Sequence, residues 1–268
     1  MIIQNSKDSL ASSEGQLFIK NIEHAALSGL LAENFGNEHF QRPQPYDEIL
    51  YLAYHHDHGW LELDENPPLN ESTSLPYNLI ETPFAYILKT SKASPDFNER
   101  HSPFCGLISS MHSYGLYKGR YGLSDAISLD WVPEQSRAAL EKMLDAELVR
   151  QQLLRAECPR LSEASIFTAY KFLQFVDACA LYFNMNPAGN RGQAVFRHVP
   201  MSEESDVDIK LTEKEAGTYH FEPYPFRSKS IDLFFEGRHL RSVKDAQTGL
   251  EMMKQAKTVR QTLKIAEN

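Results

Sequence analysis

The sequence predicts a mostly α-helical protein: a helical bundle over residues 1–192, with a small antiparallel β extension over 193–268 packed on it. Three observations predict that architecture. Apolar residues recur at helical spacing through the first two thirds of the chain. Glycines and prolines interrupt the recurrence where helices should end, and short alternating or aromatic-rich segments are confined to the last third.

Residues Gln16 to Asn34 read as the first helix, with Ile22, Ala25, Ala26, Gly29 and Leu30 on one face and Gly36 as its stop. QRPQPYD is a loop, and Tyr46 to Asp57 is a second helix punctuated by Gly59. Leu63 to Ser102 turns polar and proline-rich and reads as a long ordered excursion holding a short helix from Phe84 to Thr90. Loops of that length inside a compact domain are often functional. Pro103 to Tyr117 is helical, and KGRYGLSD is a glycine-rich connection. Two longer helices follow. Pro133 to Glu157 has proline in its first turn, where a missing N–H costs little, and Ser162 to Asn184 starts on Ser162 as its cap. DVDIKL, TYHFEP and SIDLFFEGRHL then read as strands of a small antiparallel sheet between Gln193 and Ser242, and Lys244 to Ala266 returns as a helix.

Composition narrows the function. Of the 268 residues 42% are hydrophobic and 24% charged, enough for a sizeable core. A formal charge of −9 argues against a general nucleic-acid surface, which needs clustered Lys and Arg. A small phosphorylated substrate remains compatible, because a bound cation supplies local positive charge. Cys105, Cys158 and Cys179 lack CxxC spacing, so neither a disulfide framework nor a cysteine zinc site is expected. MIIQNSKDSL has no basic region followed by an apolar run, and no stretch approaches the roughly 20 apolar residues of a membrane span. The expectation is a soluble cytoplasmic protein.

The strongest local feature is Tyr54-His55-His56-Asp57-His58-Gly59-Trp60. Ile49, Leu52, Ala53 and His56 fall at i, i+3, i+4 and i+7, so His56 continues a buried helical face and Asp57 lies near it. Asp177 shares a stripe with Ile166, Tyr170, Leu173 and Leu181, and His24 sits among Ala25, Leu27 and Leu31. His112 follows Phe104 and Ile108 at i+8 and i+4. A carboxylate among apolar neighbours is costly unless paired or coordinated. His24, His56, Asp57, His112 and Asp177 are therefore the candidate metal ligands. Their mixture of nitrogen and oxygen suits one or two ions of Mn, Fe, Co, Ni or Zn better than Ca.

The order His24, His56-Asp57, Asp177 on successive helices resembles the HD superfamily of metal-dependent phosphohydrolases. More closely, EHAALSGLLAENFG, YHHDHGW, LISSMHSYGLY, FLQFVDACALY and the PYPF tail resemble a bacterial HD-like family of uncharacterised function. The resemblance implies an HD-like helical bundle around a divalent cation held by His24, His56, Asp57 and Asp177. Two-ion members carry two more histidines between dyad and last aspartate, and His58, His101 and His112 are the residues available here. It implies a phosphatase or phosphodiesterase for a small phosphorylated molecule, such as a nucleotide. His58, Glu62 and Asp64 are the candidate acid–base residues or partners of the ligands, and Lys118, Arg120 and Lys171 candidate phosphate contacts. The alternatives are an HD-type di-iron oxygenase and a non-catalytic protein that binds a metal or ligand.

Overall fold

The computed structural model describes residues 1–4, 15–124, 132–241, 243 and 245–267. About half the chain is helical and 21% is strand. Among the described residues the strands form one seven-stranded mixed sheet. The expected helical bundle with a small β appendage is thus corrected. The sheet is a major layer, and it draws strands from both ends of the chain.

The strands are β1 (Ile2–Ile3), β2 (Gln16–Ile19), β3 (Gln193–Pro200), β4 (Asp206–Glu215), β5 (Thr218–Glu222), β6 (Ser230–Leu240) and β7 (Thr258–Ala266), in the spatial order β1-β2-β6-β7-β5-β4-β3. All neighbours are antiparallel except β5 and β7, which run parallel. Two sequence expectations fail here. Gln16 to Ile19 is strand β2, paired with β6, because Leu17, Phe18 and Ile19 are all buried there. Residues 258–266 are not helical but form β7, which pairs along β6 from Ser230↔Ala266 to Arg238↔Thr258. Only the preceding α8 (Ala246–Gln255) is helix. Ser242, Lys244 and Asp125, the expected limits of the sheet, the last helix and the glycine-rich connection, lie outside the described residues.

The helical half comprises α1 (Asn21–Asn34), α2 (Tyr46–His55), α3 (Leu61–Glu65), α4 (Phe84–Glu99), α5 (Pro103–Gly115), α6 (Glu134–Glu157) and α7 (Glu163–Met185). A 3-10 turn, His58–Trp60, joins α2 to α3. Side-chain caps start two of these helices: Ser102 accepts the Cys105 N–H at 3.1 Å, and Ser162 accepts that of Ser165 at 2.9 Å. The helix expected to stop at Thr90 continues through Pro95 to Glu99, with Ser94, Pro95 and Asn98 buried.

Helices α1 and α7 lie between the sheet and the other helices. α7 packs on β3 and α1 on β6, while α2 and α5 pack on their far sides. Strand alternation puts Ile209, Leu211, Tyr219, Phe221, Ile231, Leu233, Phe235, Leu263 and Ile265 into the same apolar core as Phe172, Val176 and Phe183 of α7. No described helix is long and apolar enough to cross a membrane.

Candidate metal centre

The site forms where α1, the end of α2 and the middle of α7 meet. Gly29 makes that approach possible, since a Cβ at this position would overlap the Tyr54 ring of α2. His24 of α1 and His56 at the end of α2 are 1% and 0% exposed, with ring centroids 5.4 Å apart. Asp57 leaves the helix at φ −99°, ψ 18°, in the sparsely allowed bridge region, and keeps a partly exposed carboxylate beside both rings. Asp177 is buried on α7.

Each imidazole is fixed at its far nitrogen. His24 Nδ1 lies 3.1 Å from Asn184 Oδ1, and His56 Nδ1 lies 3.0 Å from the Ala53 carbonyl. Both partners can only accept, so both Nδ1 atoms carry hydrogen and both Nε2 atoms face the carboxylates. His24 Nε2 is 3.0 Å from Asp177 Oδ1 and 4.0 Å from Asp57 Oδ2. His56 Nε2 is 3.7 Å from Asp177 Oδ1 and 3.9 Å from Asp57 Oδ2, close enough for charge attraction but too far for a hydrogen bond, and it has no hydrogen-bond partner. Ligand atoms of His24, His56 and Asp57 lie within 4.8 Å of one another. Two donors each about 2.1 Å from one cation stand about 3–4 Å apart. A shared proton accounts for the His24–Asp177 contact but not for the orphaned His56 Nε2. His24, His56 and Asp57 stand close enough together to share a cation, with Asp177 Oδ1 beside both imidazoles.

The electrostatics agree. Burial opposes a charged His56, but Asp57 and then Asp177 outweigh it and lift its pKa to about 9. Burial also opposes ionisation of Asp177, yet its contacts with His24 and His56 hold that carboxyl well below the usual range. The pocket therefore favours positive charge between the carboxylates. His112 behaves oppositely: burial pushes it down to about 4, so it is a neutral imidazole. It stands beside the four donors, 5.5 Å from the His56 ring, and hydrogen-bonds through Nδ1 to the Gln174 side-chain amide at 2.8 Å.

The other sequence candidates lie elsewhere. His58 stacks on Phe97 at 3.8 Å. Glu62 is exposed and ion-paired with Lys89 at 2.8 Å. Asp64 is buried but turns to the start of α1, accepting from the Ile22 N–H and from Asn21. None of the three lines the cavity that opens from the metal ligands. His101 stacks on Tyr51, Lys118 is exposed, and Lys171 pairs with Asp206 at 2.8 Å.

That cavity, of about 490 Å³, is walled mainly by α4, α5 and the turns beside them. Gly59 is one reason it exists. A Cβ there would come within 2.6 Å of Ser94 N and Thr90 O on α4, so this glycine lets the turn after the His-Asp pair press on the cavity wall. Arg120 lines the cavity and, among the described residues, has no carboxylate partner. Its backbone, with that of Tyr121, is left-handed at φ 50° and 57°, a conformation worth about 1–3 kcal/mol of strain and concentrated at functional sites. Sequence reasoning missed Asn184 and Gln174. The signal was there: residues 174, 177, 181 and 184 fall at i, i+3, i+7 and i+10, one helical face of α7.

Comparison with known families corrects the HD assignment. No HD-domain family matches the chain, and the large mixed sheet is not an HD bundle. The resemblance rested on a His-Asp pair and two further residues on helices, a pattern that any fold can assemble around a cation. No curated protein and no solved structure matches the chain. The family model described as "Protein of unknown function (DUF3891)" matches residues 1–242, and the chain belongs to that family.

Proposed function

We propose that this protein holds a divalent transition-metal ion between His24, His56, Asp57 and Asp177 and hydrolyses a small phosphorylated molecule in the adjoining cavity. The observation that carries the reading is His56 Nε2: buried, without a hydrogen-bond partner, its ring fixed by Ala53 so that this nitrogen faces two carboxylates. A nitrogen and oxygen set of this kind suits Mn, Fe, Co, Ni or Zn. Bound there, the ion would lower the pKa of a water and draw charge from phosphoryl oxygens.

The chain's own groups supply the rest. Asn184 fixes the tautomer and orientation of His24, as hydrogen-bond partners of metal ligands generally do. Arg120 binds an anionic oxygen of the substrate from the cavity wall. His112, neutral and beside the donor set, accepts from the Gln174 amide through Nδ1 and so can donate a hydrogen bond from Nε2 to a substrate oxygen.

The test is elemental analysis of gently purified protein together with the His56→Ala and Asp177→Ala variants, followed by assay on phosphomonoesters and phosphodiesters. Bound transition metal in the parent, little in the variants, and metal-dependent turnover lost with Asp57→Ala are the expected results. Metal-free parent protein refilled by none of the five ions would overturn the site. Metal without turnover across the panel would leave the ion a structural or ligand-sensing role.

A further inference from the structure

We infer that the organic part of the substrate is apolar, a compact alkyl, prenyl or aryl group carrying a single anionic head, and not a nucleotide. The inference rests on the proposed site and specifies what it accepts. Beyond the metal ligands, His112 and Arg120, the described walls are Trp60, Leu79, Ile80, Ile87, Leu116 and Leu181, with Tyr117 and three hydroxyl residues of α4.

Each of those hydroxyls already makes one hydrogen bond within the protein. Thr90 Oγ1 donates to the Ile87 carbonyl at 2.9 Å, Ser94 Oγ accepts the Gly59 N–H at 3.1 Å, and Ser91 Oγ bonds the Tyr117 hydroxyl at 3.0 Å. A ribose and a base edge would set many donors and acceptors against walls that are mostly apolar, and buried polar groups without partners weaken binding strongly. An apolar tail meets the opposite situation. Even at the mouth, Ile80 and Leu116 are 70% and 37% exposed, so the apolar surface runs from the interior to the rim. The volume, about 490 Å³, is that of a site for a compact organic ligand. Apart from the metal ligands, Arg120 is the one charged side chain among the described lining residues. The site thus reads an anionic head by charge and a tail by shape.

The experiment measures binding of non-hydrolysable alkylphosphonates, methyl through octyl, to metal-loaded protein by calorimetry, with adenosine 5′-monophosphate as comparator. Affinity should rise about fourfold per methylene until the cavity is filled, and octylphosphonate should bind at least about 100-fold more tightly than the nucleotide. Ile87→Trp, which fills the cavity, and Ile80→Asp, at an exposed position the fold tolerates, should both flatten the chain-length series with metal content unchanged. A flat series in the parent protein, or a nucleotide that binds as tightly as octylphosphonate, overturns the inference while bound metal leaves the proposed site standing. A steep series in protein that binds no metal does the reverse: it sustains the apolar tail and sinks the metal reading.

Discussion

On the sheet, Ile231, Leu233 and Phe235 of β6 and Leu263 and Ile265 of β7 face the helices, with Asp232, Phe234 and Lys264 between them turned outward. Across the core, His24, His56 and Asp177 are buried just as deeply, but on stripes where neighbouring positions are apolar. The sheet converts burial into stability directly, by about 1.5–3 kcal/mol for each large apolar side chain. The histidine–aspartate cluster gains nothing that way; its groups are tolerated only if something satisfies them. The two regions should therefore respond to mutation along different axes, the sheet through folding stability and the cluster through affinity for a cation.

The largest expected effect separates those axes. His56→Ala or Asp177→Ala should weaken metal binding by more than about 100-fold in competition with a chromophoric chelator, since even partners of ligands are worth about 10–100-fold. Phe235→Ala should instead cost about 3–5 kcal/mol in urea unfolding and leave metal stoichiometry unchanged. Loss of metal from folded Phe235→Ala protein would show that the regions are not separable. Chelation comes next. Removing a metal present at 100 times its Kd should lower the parent's stability by about 2.7 kcal/mol, and Asp177→Ala protein should be insensitive to the chelator.

Smaller effects test how the cluster is held. Gly29→Ala forces a methyl group into the Tyr54 ring and should cost about 1–3 kcal/mol while weakening the metal, because the α1–α2 separation sets the distance from His24 to His56. Shortening the ring in the double variant Gly29→Ala/Tyr54→Ala should restore metal affinity; continued loss would place the cause elsewhere. Asn184→Leu keeps the volume but frees His24 to rotate, and should cost about 10–100-fold in metal affinity with little change in the metal-free melting temperature.

The same contrast explains what the sequence disclosed. The cluster was legible because Asp177 and the His-Asp pair violate an apolar pattern, and a violation stands out against 3.6-residue spacing. Arg120 was also visible as a cation between glycines, though its place on the cavity wall was not. The sheet was harder. Gln16 to Ile19 is too short to show a period and merges into the helix after it. β7 does alternate, with Thr258, Arg260, Thr262 and Lys264 against Val259, Gln261, Leu263 and Ile265, but follows directly on a true helix whose pattern was carried too far. What no local pattern discloses is that β7 pairs between β5 and β6, a long-range choice made by the packing of the whole core.

The smallest prediction concerns a link between the two regions. Lys171 of α7, six residues before Asp177, reaches Asp206 of β4 at 2.8 Å. That hydrogen bond holds the Asp206 carboxyl below its ordinary value of 3.8. A depressed carboxylate stabilises the fold fully above its unfolded pKa and loses that contribution as pH falls through the lower, folded value. Asp206 is about one third exposed, so the pair is worth about 0.2–1 kcal/mol. Asp206→Asn should lower stability by less than about 1 kcal/mol near neutral pH, with the difference from the parent closing below pH about 4. Metal affinity should not move, because a part-buried pair anchored on α7 nearly two turns before Asp177 does not set where Asp177 points. A shift in affinity beyond about threefold, roughly 0.7 kcal/mol, would mean that the sheet positions the ligands through α7, and the separation of stability from binding would fail at this contact.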